Sequence, residues 1–254
     1  MPRTAFDRLG SSIDWTDLPG RLPARVFVHG LGANGQANFG RVVGRPELGD
    51  HRSIVVDLPG MGRSDRPADF SYSLEAHAAA VAGVIRAAGL ANVDLVGHSL
   101  GGDTSIVVAY RNPGLVGRLI ISEANLDPLP ASSSGRASQG IRLETEDEFV
   151  ATGFEALMDR EPGWATTLRL CDARAIHRSA VGLTSGTTPT TREMLTAMTL
   201  PRSFLHGDHG EPLLGAAGLR AAGIGVVTIA NAGHMVMHDN LEAYVRALGE
   251  LLST

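Results

Sequence analysis

The chain has no lysine; all 22 of its basic residues are arginine. That absence excludes a Walker lysine, a Schiff-base lysine and a pyridoxal phosphate attachment site together. Cysteine is nearly missing as well. Cys171 stands alone, so neither an intramolecular disulfide nor a cysteine cluster for zinc can form, which fits a reducing compartment. Positive charge is in deficit: 27 acidic residues leave a net charge of −5, and without a basic stripe neither nucleic acid nor an anionic membrane is an expected partner. No apolar run approaches the ~18 residues of a spanning helix, and MPRTAFDRLGSS lacks the apolar centre of a leader, so a cytoplasmic location is expected. Aromatic residues are only 5% of the chain and offer no stacking platform. Arginine without lysine, with abundant Ala and Gly, is the composition of a GC-rich, bacterial genome. Nothing in the sequence sets an oligomeric state.

What is present is ample apolar residue, 43% of the chain, enough for one substantial core. It is distributed in short, near-continuous runs: ARVFVHG (24–30), HRSIVVDLPG (51–60), NVDLVGHS (92–99), GRLIISEA (117–124), RSFLHG (202–207) and GVVTIA (225–230). Such runs suit strands buried on both faces of a parallel sheet. Two weaker candidates, Ala5 to Leu9 and Ser12 to Leu18, predict an antiparallel edge. Leu74, Ala78, Val81, Ile85 and Ala88 recur at helical spacing, as do Leu241, Tyr244, Val245, Leu248 and Leu252. The alternation predicts an α/β fold with a doubly wound, mostly parallel, eight-stranded sheet. It breaks between Asn125 and about Leu200, where the polar stretches ASSSGRASQG and GLTSGTTPTT bracket two helix-like segments. Phe149, Val150, Phe154, Leu157 and Met158 make the apolar face of the first; Leu168, Cys171, Ala175 and Ile176 make that of the second. The expected organisation is a core of 1–124 and 200–254 with a helical cap, 125–199, inserted after the sixth strand.

The strongest chemical signal is VGHSLGG, which sets Ser99 in a G-x-S-x-G frame between a buried strand and a helix. A sharp strand-to-helix turn strains the serine backbone, needs tiny neighbours, and exposes the hydroxyl at a helix N-terminus that favours a developing anion. A serine needs a base. His234, in NAGHMVMHDN after the last strand, follows it in the chain order such a constellation demands, whereas His238 enters the first turn of the next helix. VHGLGANG ends the first buried strand, and its glycines let the Leu31 N–H face a reacting carbonyl beside the Leu100 N–H. A rival reading exists. Gly30, Gly32 and Gly35 also fit the G-x-G-x-x-G of an NAD-dependent oxidoreductase, with Asp57 as the ribose-binding acid, but that reading leaves Ser99 and His234 unexplained.

HGLG, DLPGMGRSD, GHSLGG and NAGHMVMHDN, in this order and spacing, resemble the α/β-hydrolase superfamily with a cap between the sixth and seventh strands, over essentially the whole chain. The resemblance implies Ser99 as nucleophile, His234 as base, and the Leu31 and Leu100 amides as the oxyanion hole, with Asp57 and Arg63 bracing a loop. Serine at the elbow disfavours the haloalkane dehalogenase and epoxide hydrolase branches, which attack with a carboxylate. In most capped members the third residue is an acid three positions past the glycine that ends the seventh strand. Here Gly210 stands there, in LHGDHGEP, with Asp208 two residues early and Glu211 one residue late. Glu123, just past the sixth strand, is the preferred acid, a placement similar to that of the fungal lactone hydrolases that open zearalenone; Asp208, Glu211 and Asp127 are the alternatives.

The expected activity is therefore hydrolysis of a carboxylic ester or lactone through an acyl-enzyme on Ser99, with no metal or organic cofactor. Thioester, amide and carbon–carbon bond hydrolysis use the same constellation, and a hydrolase-fold small-molecule receptor would retain it. Phe149, Phe154 and Trp164 in the cap, with Leu31, Phe39 and Met235 near the site, are expected to line an apolar pocket for a small substrate.

Overall fold

Each apolar run forms a strand. The computed structural model describes residues 2–128 and 137–253. Its strands are β1 (Arg3–Ala5), β2 (Ser12–Leu18), β3 (Arg21–Val28), β4 (His51–Asp57), β5 (Val93–His98), β6 (Val116–Ser122), β7 (Arg202–Gly207) and β8 (Gly225–Ile229). They make one eight-stranded sheet in the order β1-β2-β4-β3-β5-β6-β7-β8. β2 pairs antiparallel with β1 and β4, and all later pairings are parallel. From β3 the chain crosses to β4 on one side and then to β5 on the other, so the strand order reverses at β3 and β5. Ligand sites of open α/β sheets lie at the carboxyl ends of strands at such a switch.

The helices are α1 (Gly35–Phe39), α2 (Leu74–Ala87), α3 (Leu100–Arg111), α4 (Ala137–Arg142), α5 (Glu146–Glu148), α6 (Phe154–Arg160), α7 (Pro162–Leu168), α8 (Ala173–Ser185), α9 (Thr191–Ala197), α10 (Ala216–Ala221), α11 (Val236–Asp239) and α12 (Leu241–Ser253). Alternate residues of a strand face opposite ways, and both faces are covered. Val26, Val28, Ile54 and Leu95 pack with Val81 and Ile85 of α2 and Ile106 of α3. Phe27, Val55 and Val96 pack with Phe39 of α1 and with Tyr244, Val245 and Leu248 of α12. α2 starts where Ser73 accepts the Ala76 N–H, the side-chain cap that satisfies an otherwise unpaired donor. None of the described helices is long and apolar enough to cross a membrane.

Three expectations need correction. The first edge strand is Arg3–Ala5 rather than Ala5 to Leu9, because Asp7 Oδ1 accepts the N–H groups of both Leu9 and Ser11 and turns the chain there. In the helical insertion, a π turn at Phe149–Gly153 shifts the helical register, so Val150 is 40% exposed while Phe149, Leu157 and Met158 are buried. Leu168 and Ala175 lie on different helices: α7 ends at Leu168, and Asp172 caps α8 by accepting the Ala175 N–H. Of the polar stretch 131–140, residues 131–136 lie outside the described residues, and the rest begin α4.

α4 to α9 stand between β6 and β7 and are moored to the core by polar contacts. Arg178 of α8 donates to Ala68 O and Phe70 O, and Ser179 Oγ lies 2.9 Å from His77 Nε2 of α2. His77 is fully enclosed, and burial holds its pKa down to about 3 against an ordinary 6.5. The unfolded chain takes up a proton near 6.5 that the folded chain refuses, so between these values stability falls as pH is lowered. His77→Gln, which keeps a donor toward Ser179, is expected to shrink the loss of unfolding free energy between pH 6.5 and 4.5 by up to about 1.4 kcal/mol per pH unit. Urea denaturation at the two pH values measures it; equal losses in both proteins would refute this account of His77.

Candidate active site

β5 runs into α3 with one residue between them. Ser99 has φ 52 and ψ −122, a left-handed conformation that costs a side-chain-bearing residue and persists only when its surroundings impose it. The surroundings are close backbone. A Cβ at Gly101 would lie 2.1 Å from Val28 O, and one at Gly97 would lie 2.4 Å from Gly101 O, so α3 can pack this tightly on β3 only with glycine at both positions. The Ser99 N–H donates to Ser122 O at 2.8 Å, tying the turn to the end of β6.

His234 follows β8 and presents its ring to this turn. Ser99 Oγ lies 3.1 Å from His234 Nε2, and His234 Nδ1 lies 3.4 Å from Glu123 Oε2. A carboxylate only accepts, so Nδ1 carries the proton and Nε2 is left to accept from the hydroxyl. Glu123 comes from the end of β6 with φ 56; its N–H donates to Leu205 O and its Oε1 accepts the Gly207 N–H at 2.8 Å. A Cβ at Gly210 would stand 3.9 Å from Glu123 Oε2, so the glycine leaves open the space beside the carboxylate. The other acids are elsewhere. Asp208 accepts the Ala232 N–H, Asp127 pairs with Arg192 at 2.7 Å, and Glu211 lies at the cavity wall.

Sequence reasoning missed His98, although it adjoins Ser99. Its Nε2 donates to His234 O at 2.8 Å and so fixes the loop that carries the imidazole. Burial pushes its pKa down to about 3, which keeps the ring neutral beside His234. Asp103, fully inside on α3, was also missed. It accepts the N–H groups of Asn125 and Leu126, just past Glu123, and the Thr191 hydroxyl of α9. The signal was there in each case: a polar residue inside an otherwise apolar or small-residue run.

The loop after β3 is organised around its own peptides. His29 Nδ1 donates to Gly30 O at 2.7 Å while Nε2 accepts the Leu58 N–H, and Gly30 N–H donates to Asn38 Oδ1. Among the described residues no acceptor takes the N–H of Leu31 or of Leu100, which begins α3 and has no partner within its helix. A cavity of about 660 Å³ opens here, walled by Leu31, Trp164, Leu183, Met235 and His238, with Ser99 and His234 in its floor. Phe39, Phe149 and Phe154 do not line it. Phe39 is buried against Phe27, Val55 and the α12 side chains, and Phe149 packs edge-on to Phe154 and at a tilt to His177 inside the helical insertion. The dinucleotide fingerprint also fails. Asp57 Oδ1 accepts the Gly35 N–H at 2.8 Å, occupying the start of α1 where a pyrophosphate would have to sit, and Oδ2 accepts the Arg63 N–H. Asp57 thus braces the loop, as does Arg63 through Asp14.

Comparison with known proteins agrees with this architecture. The family described as alpha/beta hydrolase fold matches residues 23–210, and the chain belongs to that family. It is 33% identical over 159 residues to a 2-hydroxy-6-oxo-2,4-heptadienoate hydrolase of Pseudomonas putida, covering 61% of this chain and 50% of that one. It is 33% identical over 172 residues to an esterase of Mycobacterium tuberculosis, covering 66% and 52%. The chain thus spans about half the length of the curated relatives it matches. Among solved structures it is similar to an esterase from Exiguobacterium antarcticum (TM-score 0.83, 21% identity) and to an enol-lactonase from Burkholderia xenovorans (0.80, 19%), each covering all of both chains. At those identities the likeness shows the fold alone.

The packing of the elbow gives a paired prediction. Gly101→Ala is expected to lower stability by about 1–3 kcal/mol through overpacking against backbone. Gly83→Ala, mid-helix in α2 where an added Cβ meets nothing within 4 Å, is expected to raise it by about 0.5–1 kcal/mol. Denaturant midpoints of the two variants check both; a neutral Gly101→Ala would refute the close contact.

Proposed function

We propose that the chain is a serine hydrolase that cleaves a carboxylic ester or lactone, with residues 125–199 as a cap over the site. The observation that carries this reading is Ser99 Oγ at 3.1 Å from His234 Nε2, at the helix N-terminus in the floor of a largely apolar cavity. Ser99 Oγ attacks the carbonyl carbon as His234 Nε2 takes the hydroxyl proton, and the carbonyl π pair moves onto oxygen. The N–H groups of Leu31 and Leu100 donate to that oxyanion, and Glu123 holds Nδ1–H and stabilises the imidazolium. Collapse expels the alkoxide, which takes the proton from His234. Water then repeats the sequence on the acyl-enzyme, with His234 again as base, and frees the acid. In a lactone, alcohol and acid leave as one product.

A second reading is hydrolytic cleavage of a carbon–carbon bond, favoured by the 33% identity to a 2-hydroxy-6-oxo-2,4-heptadienoate hydrolase. A panel of p-nitrophenyl esters, lactones of graded ring size and 2-hydroxy-6-oxo-dienoates separates the two. Preferential turnover of esters or lactones is the expected result, and preferential turnover of the dienoates would replace the first reading with the second. A fluorophosphonate should label Ser99, and Ser99→Ala should abolish turnover. Labelling without turnover of any panel member would indicate a receptor. Glu123→Gln should lower kcat by on the order of 10³–10⁴, whereas Asp208→Asn and Glu211→Gln should stay within about threefold, as substitutions outside the charge-stabilising contact do. Near-normal turnover in Glu123→Gln with a collapse in either of the others would reassign the acid.

A further inference from the structure

Trp164 projects from α7, a helix begun by Pro162 and anchored by the buried Ala165 and Leu168. Its indole lines the cavity, but the ring nitrogen points away from any substrate: Nε1 donates to Gly32 O at 3.1 Å. Gly32 has φ +65, and a Cβ there would lie 2.6 Å from Nε1 and Cζ2, so the indole rests directly on the glycine backbone. Among the described residues the indole is the partner of that carbonyl.

The contact leads to the reacting atoms through two peptide groups. In a trans peptide the C=O of one residue and the N–H of the next point in opposite directions in one plane. Gly32 C=O and Ala33 N–H form one such unit. Held from outside by the indole, it directs the Ala33 N–H back to Gly30 O, a turn bond that is long at 3.4 Å and correspondingly weak on its own. Gly30 C=O and Leu31 N–H form the second unit. With Gly30 O held by Ala33 N–H and by His29 Nδ1–H at 2.7 Å, the Leu31 N–H is turned the opposite way in a residue that lines the cavity. Hydrogen bonds linked in series polarise one another, so a donor at one end strengthens the donor at the other.

We infer that Trp164 is a positioning residue of the insertion: its indole N–H, relayed through the Gly32–Ala33 and Gly30–Leu31 peptides, orients and polarises the Leu31 N–H that receives the oxyanion. The seating of the helical layer is thereby coupled to the rate of the chemical step and not only to the shape of the pocket. The inference rests on the ester or lactone reading above.

Trp164→Phe keeps an aromatic ring and removes the donor. Because one oxyanion donor is misaligned and not lost, kcat should fall roughly tenfold with KM within about twofold. The ratio of ester to thionoester turnover should fall with it, since N–H donors tuned to an oxyanion discriminate against sulfur. In the wild-type protein, forming a phosphonate adduct on Ser99 should move the Trp164 indole N–H proton resonance downfield, while that of Trp15, bonded to Thr4 Oγ1, stays in place. This second measurement needs no variant to fold. A rise in KM with kcat unchanged, a fall in kcat with an unchanged ester to thionoester ratio, or an unmoved Trp164 resonance would overturn the inference. Persistence of turnover in Ser99→Ala would instead overturn the underlying reading, so the two failures are distinguishable.

Discussion

The contact on which the site depends is backbone against backbone, where α3 meets β3 at Gly101 and Val28. With no Cβ in the way, the helix begins one residue after β5 ends, and Ser99 is left with φ 52 between them. Such a conformation is held by its frame, and the frame here is broad: Ser99 is tied to β6 through Ser122 O, and α3 is enclosed by strands and helices along most of its length. The hydroxyl that results is raised above the sheet at the point where the strand order reverses, which is where the carboxyl ends of β3 and β5 leave a crevice.

The acid beside His234 is held in the same way. Glu123 also adopts a positive φ, directly after β6, and Leu126 does so three residues later. Asp103 accepts the N–H groups of Asn125 and of Leu126 itself, so the α3 that presents Ser99 also anchors the loop that presents Glu123. His98, the residue before Ser99, holds the His234 carbonyl. Two further segments, the loop after β6 and the loop after β8, are thus fastened to one strand–helix unit, and a shift of that unit would carry both together. Every histidine in this framework that burial leaves neutral, His29 and His98 among them, serves as a directional hydrogen-bonding group and adds no positive charge under the cavity.

Much of this was legible in the linear sequence because it has local causes. Six apolar runs are strands since a strand buried on both faces needs no alternation, and the helices of α2 and α12 carry their apolar stripes at 3.6-residue spacing. Gly97 and Gly101 mark the elbow because only glycine fits there. The absence of an acid at Gly210, together with Glu123 at the end of β6, pointed to the carboxylate that the fold brings to His234. The pocket wall was not legible in this way. Phe39, Phe149, Phe154 and Trp164 are alike as apolar aromatics in the sequence, but only Trp164 faces the cavity.

The reason lies in what fixes each property. Strand, turn and helix are set by a few neighbouring residues, so composition and spacing determined the α/β order, the strained serine and the candidates around it. Which face of a helix meets which face of the sheet is set by contacts between segments more than a hundred residues apart. The single extra residue of the π turn was enough to turn Val150 outward, and packing against Phe27 and α12 draws Phe39 into the core although Ala37 and Asn38 of the same helix line the cavity. Only the tertiary structure could place the Trp164 indole on the Gly32 carbonyl, since neither residue carries in its own neighbourhood any trace of the other.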